Sequence, residues 1–139
     1  MEILSPFQIA FSLLVTLEPE LMGIISLSLS VSLAAVVLSL LIGLPFGAVL
    51  AAYSFPGRGA IIVVTNTLLG MPPVVVGLVI YLLVSRAGPF GFLGILYTPA
   101  AMMLAQTILV LPIAIALSRQ VFETLNTEYA PLFRSIGLS

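Results

Sequence analysis

The charged residues of this 139-residue chain leave three long stretches with no charge at all. The stretches cover positions 21–57, 59–85 and 87–118, and they are 37, 27 and 32 residues long. A helix that crosses a bilayer needs about 20 predominantly apolar residues, so each stretch can hold one span. The sequence therefore predicts an all-α, polytopic membrane protein whose membrane domain, residues 21–118, has three spans at about 22–51, 61–84 and 99–117.

The composition supports a membrane protein and excludes several kinds of chemistry. Hydrophobic residues make up 61% of the chain and charged residues 6%, against about a quarter charged in soluble domains. The chain has no His, Cys, Lys or Asp, which removes most metal ligands, general bases and the lysine of a phosphate-binding loop. Four arginines do not form a nucleic-acid surface. We therefore expect no catalytic residues, metal or cofactor. Every glutamate lies outside the spans, which also disfavours a proton- or sodium-coupled porter.

The N-terminal segment and the arginines predict how the chain sits in the membrane. The apolar stretch 3–17 is too short to cross the bilayer comfortably, so residues 1–20 are predicted to form an interfacial segment. Arginine is enriched in cytoplasmic loops. An outside N-terminus would place Arg58, Arg119 and Arg134 in the cytoplasm and only Arg86 outside. We therefore predict a multi-pass membrane protein with its N-terminus outside.

The second predicted span is interrupted near its middle by Gly70-Met71-Pro72-Pro73, shortly after Asn66 and Thr67. Two consecutive prolines cannot continue an ideal helix. A break at membrane depth is tolerated only where it is buried in protein or lines a cavity. Two interpretations stay open: a kink buried against Gly43 and Gly47 of the first span, or a break that lines a transport pathway.

The third predicted span carries an amide and a hydroxyl, Gln106 and Thr107. Such groups usually form hydrogen bonds between helices, and contact with a transported solute is the alternative. We include both residues with the break as candidates for the translocation pathway: Asn66, Thr67, Met71, Pro72, Pro73, Gln106 and Thr107.

Several of these motifs together resemble a known family. The segments Gly70-Met71-Pro72-Pro73-Val74-Val75-Val76-Gly77-Leu78, Ser85-Arg86-Ala87-Gly88-Pro89-Phe90-Gly91 and Ile42-Gly43-Leu44-Pro45-Phe46-Gly47 are similar to those of the permease subunit of bacterial ABC importers. Within that superfamily the tungstate-type permease is most similar. The resemblance covers nearly the whole chain. The Pro-Pro segment and the S-R-x-G-P loop are its most specific parts.

The resemblance implies partners that this chain would need. Family members form a homodimer in the lipid bilayer, receive the anion from a periplasmic or extracellular solute-binding protein, and dock on an ATP-binding subunit that hydrolyses ATP. Docking uses a cytoplasmic segment similar to E-A-A-x-x-x-G, and we expect it within residues 119–139. The residues implied in this coupling are Glu128, Arg134, Ser135, Ile136 and Gly137.

The motif is degenerate here, because Pro131, Leu132 and Phe133 occupy its Glu-Ala-Ala positions. Family members continue into further spans, so a C-terminally truncated chain is expected.

The sequence thus favours the permease subunit of an ATP-driven importer of a small oxyanion, with tungstate as the favoured substrate. This would be a transport subunit and not an enzyme. Two alternatives remain at this point. One is a structural or assembly membrane protein with no transport role, and the other is a permease for another solute such as molybdate.

Overall fold

The computed structural model describes residues 4–16 and 18–135, and this part of the chain is helical with no β-strand. Its five α-helices are α1 (Leu4–Val15), α2 (Pro19–Ala52), α3 (Arg58–Leu69), α4 (Pro73–Val84) and α5 (Pro99–Ser135). A short 3-10 turn, Gly91–Leu93, lies between α4 and α5. The predicted all-helical membrane fold is confirmed, since α2 and α5 are long and apolar enough to cross a membrane and α3 with α4 could form a third, bent span.

The predicted break divides the second span into two helices of 12 residues each, joined at a bend of 105°. Beyond the predicted third span, α5 continues through the segment after Arg119 to Ser135. Residues 119–130 contain no glycine or proline that would end the helix, and an Arg119–Glu123 ion pair at i,i+4 spacing supports it.

The core of the fold is the contact between α2 and α5. On α2 the buried residues recur about every four positions and are mostly small: Val31, Ala35, Ser39, Gly43, Gly47 and Leu50. Gly43 packs on Ala114 of α5, where an added Cβ would lie 2.6 Å from the Ala114 Cβ. Gly47 packs on Ser118 in the same way. Small residues let the two backbones approach closely, which is how helices associate in lipid without a hydrophobic driving force.

Two serines join the helices across this seam by hydrogen bonds to backbone carbonyls. Ser39 Oγ donates to the carbonyl of Thr107 on α5 (3.2 Å) and shares this proton with its own helix at Ala35 (2.8 Å). Ser118 Oγ lies 3.1 Å from the carbonyl of Gly43 on α2. Both serines are buried, so water does not reach their hydroxyls, and the backbone carbonyls satisfy them instead.

These contacts also show that α2 and α5 run parallel. Residue 39 meets residue 107, residue 43 meets 114, and residue 47 meets 118, so the numbers rise together along both helices. Parallel neighbours require the intervening chain to return from the C-terminal end of α2 to the N-terminal end of α5. The segment α3–α4 makes this return.

The two ends of α3–α4 contact α5 at different levels. At the start of α3, Arg58 forms an ion pair with Glu123. Along α4, the cluster of Val76, Ile80 and Val84 packs against Ala105 and Leu109. Val84, at the end of α4, lines one cavity with Leu104 of α5. The part of α5 from Ala105 to Glu123 is about 27 Å long at 1.5 Å per residue.

Candidate functional site

The break between α3 and α4 is made by backbone chemistry that the prolines impose. Helix α3 closes with two short-range bonds, from the Gly70 N–H to the Thr67 carbonyl (3.1 Å) and from the Met71 N–H to the Leu68 carbonyl (3.2 Å). Pro72 is extended, with φ −61° and ψ 133°, and Pro73 begins α4. Neither proline has an N–H to donate to the preceding turn, so the helix cannot continue and α4 leaves at 105° to α3.

The residues around the break face outward from this chain. Asn66, Thr67, Pro72 and Pro73 are exposed, and Met71 is 40% exposed. Thr67 uses its hydroxyl within α3, where Oγ1 donates to the Val63 carbonyl (2.8 Å). The expected alternative, a kink buried against Gly43 and Gly47, is wrong, because those glycines pack on Ala114 and Ser118 of α5 instead.

The two polar candidates of α5, Gln106 and Thr107, are both half-buried but lie on different sides of the helix. Thr107 lies on the side that faces α2, since its carbonyl accepts the Ser39 bond, and its hydroxyl donates to the Met103 carbonyl (2.7 Å). Ala105 and Leu109 lie on the side that faces α4. Thr107 is therefore part of the α2–α5 seam and does not approach the break through its side chain.

Gln106 lies between these two sides of α5, one residue from each. Its Oε1 is buried and has no hydrogen-bond partner among the described residues. A buried amide oxygen without a partner costs about 1–3 kcal/mol. Of the pathway candidates, Gln106 is the one with a buried polar side-chain atom that the described chain leaves unsatisfied.

A cluster of three charges, which the sequence showed only in part, lies at the end of the bundle where α2 ends and α3 begins. Glu123 accepts from Arg58 through one carboxylate oxygen and from Arg119 through the other (2.8 Å). Arg58 Nε also donates to the carbonyl of Leu50 near the C-terminus of α2 (2.6 Å). The i,i+4 spacing of Arg119 and Glu123 was visible in the sequence, but nothing local indicated Arg58.

The residues predicted to couple to an ATP-binding subunit lie at the end of the described chain. Glu128 is exposed on α5, and Ser135 is the last residue of that helix and also exposed. The backbone of Arg134 belongs to α5. Ile136 and Gly137 lie outside the described residues.

Comparison with known proteins identifies several relatives. No family model and no solved structure matches the chain. The chain is 43% identical over 108 residues to a probable anion ABC transporter permease protein of Haloferax volcanii, covering 78% of this chain and 47% of that protein. It is 34% identical over 131 residues to the tungstate uptake system permease protein TupB of Peptoclostridium acidaminophilum, covering 94% and 58%.

A third relative, TupB of Campylobacter jejuni, is 40% identical over 87 residues, covering 63% of this chain and 36% of that protein. The chain therefore spans about half the length of the curated relatives it matches first, 47% and 58%. Over nearly all of its own length, this chain is similar to permease proteins of anion and tungstate ABC transport systems, as its motifs predicted.

Proposed function

We propose that this chain is the membrane-spanning permease subunit of an ATP-driven importer of a small oxyanion, with tungstate as the first candidate. The support is the similarity to TupB proteins over 94% of the chain in one case, together with an all-helical fold that contains a broken apolar segment. The chain has no nucleotide-binding lysine loop, so ATP hydrolysis belongs to a partner.

The observation that carries this proposal is that α3–α4 connects two parallel helices, α2 and α5, and so has to return from the end of one to the start of the other. A re-entrant loop would return to the side from which it started. Here the segment begins beside Glu123 and ends beside Ala105 of α5, a separation of about 27 Å, which approaches the roughly 30 Å of a hydrocarbon core. This separation supports a segment that crosses the membrane with a break inside it, and such broken helices form the transport sites of many carriers.

The orientation follows from the same end-to-end arrangement. Arg58 and Arg119 lie at one end of the bundle, joined by Glu123, and Arg86 follows α4 at the other end. Cytoplasmic enrichment of arginine favours the first end as cytoplasmic and an outside N-terminus. Helix α1, 12 residues and about 18 Å long, is too short to span and suits an interfacial position.

The translocation pathway is assigned to the face that the break presents. Asn66, Thr67, Met71 and the two prolines lie exposed on this face, where a second copy of the permease would complete an enclosed channel. No charged residue occurs between Gly59 and Ser85, so an anion would meet amides, hydroxyls and backbone. A neutral lining binds weakly enough to release the ion again. Gln106 supplies an unsatisfied amide one helix away.

The coupling role is assigned to the cytoplasmic extension of α5. Residues 119–135 continue the helix beyond the predicted span. We assign the segment Glu128–Ser139 to the contact with the ATP-binding subunit. A solute-binding protein would deliver the anion at the opposite side.

Uptake in proteoliposomes tests the proposal. The permease is reconstituted with its ATP-binding subunit and solute-binding protein, and ATP-dependent accumulation of tungstate, molybdate and sulfate is compared. Tungstate-stimulated ATP hydrolysis and uptake are expected. Equal stimulation by sulfate would refute the tungstate assignment, and no stimulation by any oxyanion would refute the importer.

A further inference from the structure

A cleft with both polar and apolar walls lies at the end of the bundle opposite the Arg58–Glu123 pair. It occupies about 470 Å³ between the C-terminal end of α4 and the loop that leads to α5. Its polar lining is Tyr81, Ser85, Arg86 and Tyr97, with backbone from Gly91 and Gly94. At about 30 Å³ per water molecule, the cleft holds a small anion together with part of its hydration shell.

The charge in this cleft has no counterion among the described residues. Three arginine side chains are described; Arg58 and Arg119 both pair with Glu123. Arg86 is exposed and forms no ion pair in the described part of the chain. A guanidinium presents several N–H donors in a planar fork that matches the oxygens of an oxyanion.

Two tyrosines, Tyr81 and Tyr97, line the cleft together with Arg86. Hydrogen bonding with Tyr81 raises the pKa of Tyr97 above its ordinary value, so the Tyr97 hydroxyl keeps its proton and can donate to an anion. Tyr97 has a positive φ of 63°, in the left-handed region that side chains other than glycine rarely adopt. Backbone strain of this kind concentrates at functional sites.

Three carbonyl groups near the end of α4 already accept hydrogen bonds. The end of a helix carries negative partial charge, but the Tyr81 carbonyl accepts from the Ser85 N–H (2.8 Å) and the Leu83 carbonyl from the Phe90 N–H (2.9 Å). The Leu82 carbonyl accepts from Ser85 Oγ (3.0 Å). These internal hydrogen bonds weaken the repulsion that the helix end would exert on an anion near Arg86.

The loop is held in this shape by two glycines that pack against the end of α4. A Cβ added to Gly88 would collide with the carbonyl oxygens of Leu82 and Leu83. A Cβ added to Gly91 would collide with the Ser85 carbonyl. A fixed loop reduces the ordering cost of binding.

We propose that this cleft binds a small tetrahedral oxyanion, with Arg86 as its main ligand and Tyr81 and Tyr97 as hydroxyl donors, at the outer entrance of the pathway. The assignment of the outer side rests on the function proposed above, whereas the binding itself does not. The site concentrates anions at the mouth before they meet the neutral break.

Calorimetric titration of the full chain in lipid nanodiscs tests the site. Sodium tungstate, molybdate and sulfate are titrated at constant ionic strength, with sodium chloride as the comparison. Saturable oxyanion binding is expected, weakened at least tenfold by Arg86→Gln, partly retained by Arg86→Lys, and weakened severalfold by Tyr97→Phe. Arg119→Gln is the matched control, because it removes one positive charge at the opposite end and leaves Arg58 paired with Glu123.

Three results would overturn the proposal: absence of saturable binding, equal affinity in Arg86→Gln and the unmodified chain, or equal weakening by Arg119→Gln. Loss of solute-binding-protein docking in Arg86→Gln with unchanged anion affinity would also overturn it, since Arg86 would then contact that protein. Uptake separates the two proposals. Tungstate uptake without Arg86-dependent binding refutes only the cleft, and Arg86-dependent binding without uptake refutes only the importer.

Discussion

Arg58 and Glu123 lie 65 positions apart in the chain and form an ion pair that connects the start of α3 to α5. Because Arg58 also bonds the Leu50 carbonyl (2.6 Å), a single side chain connects α2, α3 and α5. The broken span begins at this residue, and the α5 extension assigned to coupling begins beside it.

Removal of the Arg58–Glu123 pair is expected to destabilise the fold modestly. Both side chains are about one-third exposed, and partly exposed ion pairs contribute up to about 1 kcal/mol. Arg58→Gln, Glu123→Gln and the double variant are compared by thermal unfolding in detergent. A coupling energy of about 1 kcal/mol, reduced by high salt, is expected. Strictly additive effects of the two single substitutions would show that the pair contributes nothing.

Substitution of Gly47 is expected to damage the seam between α2 and α5. An added Cβ would meet the Ser118 side chain, the Ile115 carbonyl oxygen at 2.8 Å and the Arg119 nitrogen at 2.9 Å. Two of these atoms are backbone and cannot rotate away, so Gly47→Ala should cost about 1–3 kcal/mol.

The matched control for Gly47→Ala is Gly23→Ala in the same helix, where nothing lies within 4 Å of the added Cβ. Melting temperatures of the two variants in detergent give the comparison. If both variants melted at the same temperature, the close packing at Gly47 would not contribute to stability.

The sequence predicted the membrane fold and the site of the break, but not how the helices pack together. Charge spacing and Pro72-Pro73 are local signals, and local signals were enough to predict α2, α5 and the interrupted segment between them. The parallel seam depends on Gly43 meeting Ala114 and Gly47 meeting Ser118. Such pairings join distant positions, and G-x-x-x-G spacing does not say which helix it will contact.

The candidate site was predicted unevenly for the same reason. Proline chemistry fixed the break, whereas the side of α5 that Thr107 occupies could be assigned only once α2 and α4 were in place. From the sequence, Arg86 indicates only the orientation of the chain in the membrane. Tyr97, which lines the same cleft, adopts a left-handed conformation that no sequence pattern indicates. Contacts between loops have no periodicity from which they could be predicted.

The three-span topology predicts that the start of α3 and the loop after α4 are reached from opposite sides of the membrane. Cysteines are placed singly at Gly59 and Ala87, both exposed, in a chain that contains no other cysteine. In intact cells a membrane-impermeant thiol reagent should label position 87, and position 59 only after the membrane is opened. Labelling of both positions from the same side would favour a re-entrant α3–α4 segment.

The break itself should be accessible to water if it lines the pathway. The Leu68 carbonyl accepts from the Met71 N–H, but neither Pro72 nor Pro73 can donate to the Leu69 carbonyl. A carbonyl without a donor costs several kcal/mol in lipid, so this one should face water or protein. Met71 is half-exposed at the turn and Thr67 lies one helical turn earlier. We expect Met71 to form a narrow apolar gate, with Thr67 on its cytoplasmic side, where α3 begins.

Cysteines at 67 and 71 test this gate, with Leu41→Cys as the lipid-facing control. Leu41 is 68% exposed on α2 and lies on the side away from the seam residues Ser39 and Gly43. A small water-soluble thiol reagent should modify positions 67 and 71 much faster than position 41, because the thiolate forms only where water reaches. In the assembled transporter, trapping the ATP-binding subunit with ATP should change the rate at 71 more than at 67, since a gate residue is the one that moves. Rates at both positions as slow as at 41, in every state, would place the break against lipid or the second copy and remove these residues from the pathway.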